Sequence, residues 1–112
     1  MTSGPAKPRD PRPVCVIVRA RARPGKADEV RRELMAVAHL IRANPGCLDY
    51  RVYQDRADPD SFVLWERWIS EEAGEENLQR RYMAAYLARC DALYQHRRWD
   101  YFDEVHATAE AL

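Results

Sequence analysis

The spacing of apolar positions along the chain switches between the two-residue period of a strand and the three-to-four-residue period of a helix. Val14 to Ala22 is β-branched at Val14, Val16, Ile17 and Val18 and closes on the turn signal Arg23-Pro24-Gly25, which predicts a first strand. From Ala27 the apolar positions Ala27, Val30, Leu34, Val37 and Ile41 share one helical face, with Asp28, Glu29, Arg31, Arg32 and Glu33 outside it. Asn44-Pro45-Gly46 ends that helix, because a residue before proline disfavours the helical region and glycine supplies the turn. Cys47 to Gln54 then alternates, Leu48, Tyr50 and Val52 against Asp49, Arg51 and Tyr53, as a second strand. The polar turn 55–60 returns the chain as a hairpin into a third strand, Ser61 to Trp68. Ser70 and the acids at 71, 72, 75 and 76 mark a helix N-terminus. Met83, Tyr86, Leu87, Cys90 and Tyr94 carry its apolar stripe to about Tyr94, and Arg97 to Val105 reads as a fourth strand with Trp99 and Tyr101 alternating against Arg98 and Asp100.

The order β-α-β-β-α-β predicts an α+β, ferredoxin-like domain: an antiparallel four-stranded sheet with its helices on one face. The other face needs a cover, and a second copy of the same sheet supplies one, which makes a dimeric α+β barrel and a homodimer the expectation. The domain spans 14–105, between a proline-rich arm over 1–13 and a short tail over 106–112.

Composition narrows the partners. The 112 residues carry a formal net charge of zero with acids and bases interspersed, so no electrostatic footprint for nucleic acid or an anionic membrane is present. Apolar runs of about five residues fall far short of the ~20 a spanning helix requires. The arm has four prolines and no apolar signal region, so the cytoplasm is the expected location. Cys15, Cys47 and Cys90 show no disulfide or CxxC spacing and read as small apolar residues. His39, His96 and His106 show no metal-ligand spacing, and His39 projects away from the apolar stripe of its helix.

The stretches RARPGKADEVRREL and NPGCLDYRVYQDRADPDSFVLWERWIS, with the helix that follows, resemble the antibiotic biosynthesis monooxygenase family of dimeric α+β-barrel proteins over about residues 14–105. The resemblance implies a pocket between sheet and helices. Family members usually continue with a leucine and two histidines where this chain has Gly74, Asn77 and Tyr82. The heme-degrading branch needs a tryptophan at the position of Asn77 and a histidine at that of Leu87, so heme oxygenation is not expected.

Candidate site residues follow from both readings. Alternation puts Phe62, Leu64, Glu66 and Trp68 on one face of the third strand and Val63, Trp65 and Arg67 on the other. The resemblance makes Trp68 a pocket wall and N–H donor, and Asn77 and Tyr82 oxygen-binding or proton-relaying groups converging on the same cavity. Glu66 is a partner for Arg67 or, if desolvated beside Trp68, a base with a raised pKa. Tyr86, Leu64, Phe62 and Gly74 complete the expected substrate contacts, with Gly74 leaving room for a bulkier ligand. No dinucleotide fingerprint is present. The expected function is therefore cofactor-independent oxygenation of a phenolic or hydroquinone ring, with molecular oxygen as co-substrate, as in aromatic polyketide tailoring. A cyclase or isomerase working through the Tyr82 hydroxyl, and a non-catalytic dimeric binding protein, are the alternatives.

Overall fold

The computed structural model describes residues 10–105, so most of the arm and the whole tail lie outside the described residues. Strand β1 (Val14–Ala22), helix α1 (Ala27–Arg42), strand β2 (Cys47–Gln54) and strand β3 (Ser61–Trp68) stand where the periodicity puts them. Gly25 makes the β1–α1 turn at φ 78°, a left-handed conformation that favours glycine. Ser70 caps helix α2 (Glu71–Asn77), its Oγ accepting from the Ala73 N–H at 3.1 Å.

The second helical segment departs from the expectation of one helix reaching Tyr94. After Asn77 the backbone tightens into three-residue bonds, Leu78, Gln79 and Arg80 donating to Glu75, Glu76 and Asn77. Arg80 is extended, a 3-10 turn follows at Arg81–Met83, and helix α3 runs only over Ala84–Leu93. Tyr94 closes the predicted stripe not as a helical residue but as the first residue of strand β4 (Tyr94–Asp103), which begins and ends earlier than expected.

The sheet order is β2-β3-β1-β4, antiparallel throughout, the ferredoxin-like arrangement. Alternate residues of β1, namely Val14, Val16, Val18, Ala20 and Ala22, are buried with Phe62, Leu64 and Trp68 of β3 against Val30, Leu34, Val37, Ala38 and Ile41 of α1 and Met83, Tyr86, Cys90 and Leu93. One small irregularity matters on β2. The register shifts between Cys47 and Asp49, so Cys47 rather than Leu48 pairs opposite Trp68, and Leu48 is exposed instead of joining Tyr50 and Val52.

Among the described residues no helix lies on the opposite face. It carries Cys15, Ile17, Val63 and Trp65, all partly accessible, with exposed Tyr53 and Phe102. Arg51 stacks over Trp65 at 5.5 Å, and Arg19 and Arg98 both pair with Asp100.

Candidate functional site

The cross-strand register lays the site out in rows. Tyr50, Glu66, Val16 and Tyr101 form one row across the four strands, and Val52, Leu64, Val18 and Trp99 the next. All point to the helix-bearing face, because Val16 and Val18 are core residues and direct partners share a face. The helices cover the rows unevenly. Trp99 and Tyr101 sit on the edge strand, stay 39% and 50% exposed beside fully packed neighbours, and form the side of a cleft of about 610 Å³ counted out to open solvent. Its floor is Val16, Val18, Leu64, Glu66 and Trp68; Ile41, Gly74, Asn77, Met83, Tyr86 and Leu87 approach from the helices, and Arg97, Trp99 and Tyr101 from β4.

Glu66 and Trp68 are neighbours on one strand face, and the indole Nε1–H donates to Glu66 Oε1 at 2.8 Å. Arg67 points the other way and forks onto Glu104 at 2.5 and 3.0 Å, so the alternative pairing of Glu66 with Arg67 is not formed. Burial raises the Glu66 carboxyl from its ordinary 4.5 to about 7, the Trp68 bond pulling weakly in the opposite direction. The cleft therefore presents an acid poised to change charge at neutral pH.

Trp68 is fully buried, and its ring position explains Gly74. A Cβ at residue 74 would stand 3.2 Å from Trp68 Cδ1 and 3.3 Å from Cγ. The space gained by lacking a side chain is filled by the indole, which corrects the expectation that Gly74 leaves room for ligand.

Asn77 is buried at the C-terminal end of α2, where its Oδ1 accepts from the Tyr82 hydroxyl and from Asn44 Nδ2 at 3.4 Å. Asn44 Nδ2 also donates to the Tyr82 oxygen at 3.2 Å, while Asn44 Oδ1 accepts from the Gly46 N–H at 2.9 Å. These bonds tie the end of α1 to the broken segment between α2 and α3. Asn77 also borders the cleft, but Tyr82 does not line it, so the three-residue convergence of Trp68, Asn77 and Tyr82 forms only in part. Phe62, likewise expected at the ligand, is core and off the lining. Tyr86 lines the cleft with its ring, and its hydroxyl shares a 2.6 Å hydrogen bond with the Tyr94 hydroxyl, which burial pushes up to about 12.

Arg97, Trp99, Tyr101 and Tyr50 are lining residues that the sequence reading misses. The alternation of Trp99 and Tyr101 was a usable signal, since it shows that they share a face; only pairing with β1 shows which. Cys47 borders the core, and burial raises its thiol to about 11, against a reactive role. Among the described residues no group of His, Cys, Asp and Glu is placed to hold a metal ion, and no helix is long and apolar enough to cross a membrane.

The sequence model of the antibiotic biosynthesis monooxygenase family matches residues 13–89. Among solved structures, a Pseudomonas aeruginosa protein superposes with a TM-score of 0.80 at 30% identity, covering 85% of this chain and 96% of that one. A Mycobacterium tuberculosis protein gives 0.77 at 27% identity, over 85% and 97% of the two chains. A Chloroflexus aurantiacus protein named for the same monooxygenase family gives 0.75 at 28% identity, over 85% and 95%. An uncharacterized Synechocystis protein is 25% identical over 77 residues, 69% of this chain and 52% of that protein, so the chain spans about half the length of the curated relative it matches.

Proposed function

The chain belongs to the antibiotic biosynthesis monooxygenase family, and on that footing we propose that it is a cofactor-independent monooxygenase acting on a phenolic or hydroquinone ring. The observation that carries the reading is Glu66: a desolvated carboxyl with a pKa raised to about 7, at the floor of an aromatic-walled cleft and held by the Trp68 indole. A free phenol ionises near ~10, so a base buried beside the ring is what such a substrate requires. Glu66 takes the phenol proton, and the phenolate passes an electron to molecular oxygen. The two radicals combine at a ring carbon to form a C–O bond. Cleavage of the O–O bond then leaves one oxygen on the ring as a quinone carbonyl and releases the other as water, with Glu66 returning its proton. The ring supplies all four electrons, so a phenol and O2 become a quinone and H2O with no external reductant.

Tyr82 is unsuited to the cyclase reading, because its hydroxyl is engaged by Asn44 and Asn77 away from the lining. The helix-free sheet face, apolar at Ile17, Val63 and Trp65, supports a homodimer packed sheet to sheet. Oxygen uptake by purified protein on a neutral hydroquinone, above the rate without protein and lost in Glu66→Gln, is the expected result. Uptake unaffected by Glu66→Gln would overturn Glu66 as the base.

A further inference from the structure

Tyr50 is 2% exposed on the wall of the cleft, and among the described residues its hydroxyl makes no hydrogen bond. Its backbone is engaged on both sides, the N–H donating to Asp49 Oδ1 at 2.8 Å and the carbonyl accepting from Arg42 Nε at 2.9 Å. Other tyrosines near the site use their hydroxyls within the chain: Tyr86 and Tyr94 share a hydrogen bond, and Tyr82 donates to Asn77. A buried hydroxyl without a partner is costly unless it opens on space that water or a ligand can fill. No fully buried side-chain nitrogen or oxygen among the described residues lacks a partner, so the Tyr50 hydroxyl opens on such space, and the space Tyr50 borders is the cleft.

Glu66 stands in the same condition. The Trp68 indole holds Oε1, and among the described residues Oε2 has no partner. The irregularity in β2 is what brings the two residues together. Regular pairing continued from Cys47 and Trp68 would set Asp49 opposite Glu66, one carboxylate facing another; the extra residue at Leu48 sets Tyr50 there instead. Direct cross-strand partners share a face, with Cβ atoms ~4.5–5.5 Å apart, and both side chains line the cleft without bonding to each other. The row therefore presents an unused O–H donor beside an unused carboxylate oxygen. Burial first, and then the neighbouring Glu66 charge, holds the Tyr50 phenol well above its ordinary 10, so it stays a donor throughout the range in which Glu66 titrates. A single hydroxyl satisfies both groups, giving its proton to Glu66 while its oxygen accepts from Tyr50.

We propose that Tyr50 is a second catalytic residue, its O–H donating to the substrate oxygen from which Glu66 removes the proton and so stabilising the phenolate as it forms. The role rests on the oxygenase reading, but the seat itself is tested without turnover. 2-Naphthol and its methyl ether are titrated by calorimetry under nitrogen near pH ~8, above the Glu66 midpoint of about 7 and below the ionisation of a phenol near ~10. The wild type should bind naphthol about tenfold or more tightly than the ether, which has no proton for Glu66 and carries a methyl group into the seat. Tyr50→Phe should lower naphthol affinity about tenfold and ether affinity less than about twofold. In Glu66→Gln the same substitution should cost less than about threefold, because two groups acting on one oxygen are coupled. Chemical denaturation of Tyr50→Phe should match wild type, since no bond within the chain is lost. Naphthol that binds no more tightly than the ether, or not at all, would overturn the proposal. So would an affinity for naphthol that Tyr50→Phe leaves unchanged, a loss shared equally by the ether or undiminished in Glu66→Gln, or a less stable Tyr50→Phe protein. Oxygen uptake by the wild type on a neutral hydroquinone judges the oxygenase reading separately, and Tyr50→Phe should lower that kcat by ~10²-fold.

Discussion

A carboxylic acid and an indole two residues apart on one strand face do different work from either alone. Among the described residues Glu66 pairs with no base, and its burial favours the protonated form, so its pKa in the folded chain exceeds its ordinary value. The linkage follows in sign: the native state binds the proton more tightly than the unfolded chain, so Glu66 leaves stability undiminished below pH 4.5 and costs progressively more as pH rises to about 7. Glu66→Gln removes that cost. Its unfolding free energy relative to wild type should therefore climb between those pH values and level off above, by on the order of 3 kcal/mol at most. A pH-independent difference in chemical denaturation would refute the linkage. Activity should run the opposite way in wild type, rising with pH to a midpoint near 7 as the base deprotonates, and Glu66→Gln should lower kcat by ~10²–10⁴-fold. The Trp68 bond holds the carboxylate form, so Trp68→Phe is expected to shift the midpoint upward. The groups that share the cleft and can perturb this profile are Glu75, Arg97, Tyr86, Tyr50 and Tyr101. Gly74→Leu tests the same contact from the helix side. A side chain there presses on the indole at 3.2–3.3 Å already from its Cβ, so the variant should show the Trp68→Phe shift together with altered tryptophan fluorescence, and an unchanged profile would mean that α2 yields instead.

At the scale of elements, what could be read from the sequence divides along physical lines. The bounds of strands β1, β2 and β3 and the start and stop of helix α1 were legible because alternation or a clean apolar stripe is bounded by proline, glycine, an Asx-rich turn or, after β3, the Ser70 helix cap. The break between α2 and α3 carried no such punctuation. Leu78, Gln79 and Arg80 all favour helix, and the interruption is imposed by tertiary bonds from Asn44 to Asn77 and Tyr82. The same cause hid part of the site. Asn44 reads in the sequence only as a helix stop, yet it is buried and makes hydrogen bonds to three neighbours. Glu66 and Trp68 were legible because strand alternation fixes their shared face, whereas Arg97 and Trp99 depend on which strand β4 pairs with. The network also revises what Tyr82 does. Tyr82→Phe removes one donor to a buried amide oxygen, which should cost ~1 kcal/mol in stability and only a few-fold in kcat. A loss near 10²-fold with unchanged stability would return the Tyr82 hydroxyl to the chemistry.

For the whole molecule the decisive feature is the asymmetry of the sheet. The helix-bearing face is closed by α1, α2 and α3 except where β4 opens the cleft, while among the described residues the other face has no cover. Its centre is apolar, with Ile17 opposite Trp65 on adjacent strands and Val63 and Cys15 diagonal to them. Around that centre the face carries both signs of charge, in Arg19 and Arg67 on the inner strands and in Arg51, Arg98, Asp49 and Asp100 on the outer ones. A patch of this kind on a monomer would be an aggregation liability. Mixed charge around an apolar centre is self-complementary across a two-fold axis, since an arginine margin on one copy can meet an acidic margin on the other. The cleft opens on the far side of the sheet, so pairing through this face leaves it accessible to substrate. Sedimentation at micromolar concentration should therefore give about twice the 13.1 kDa chain mass. Ile17→Lys places a charge at the centre of the face without touching the core side of β1, and should yield a folded monomer with reduced stability. A wild-type monomer, or an Ile17→Lys protein that remains dimeric, would show that the sheet face is not where two copies meet.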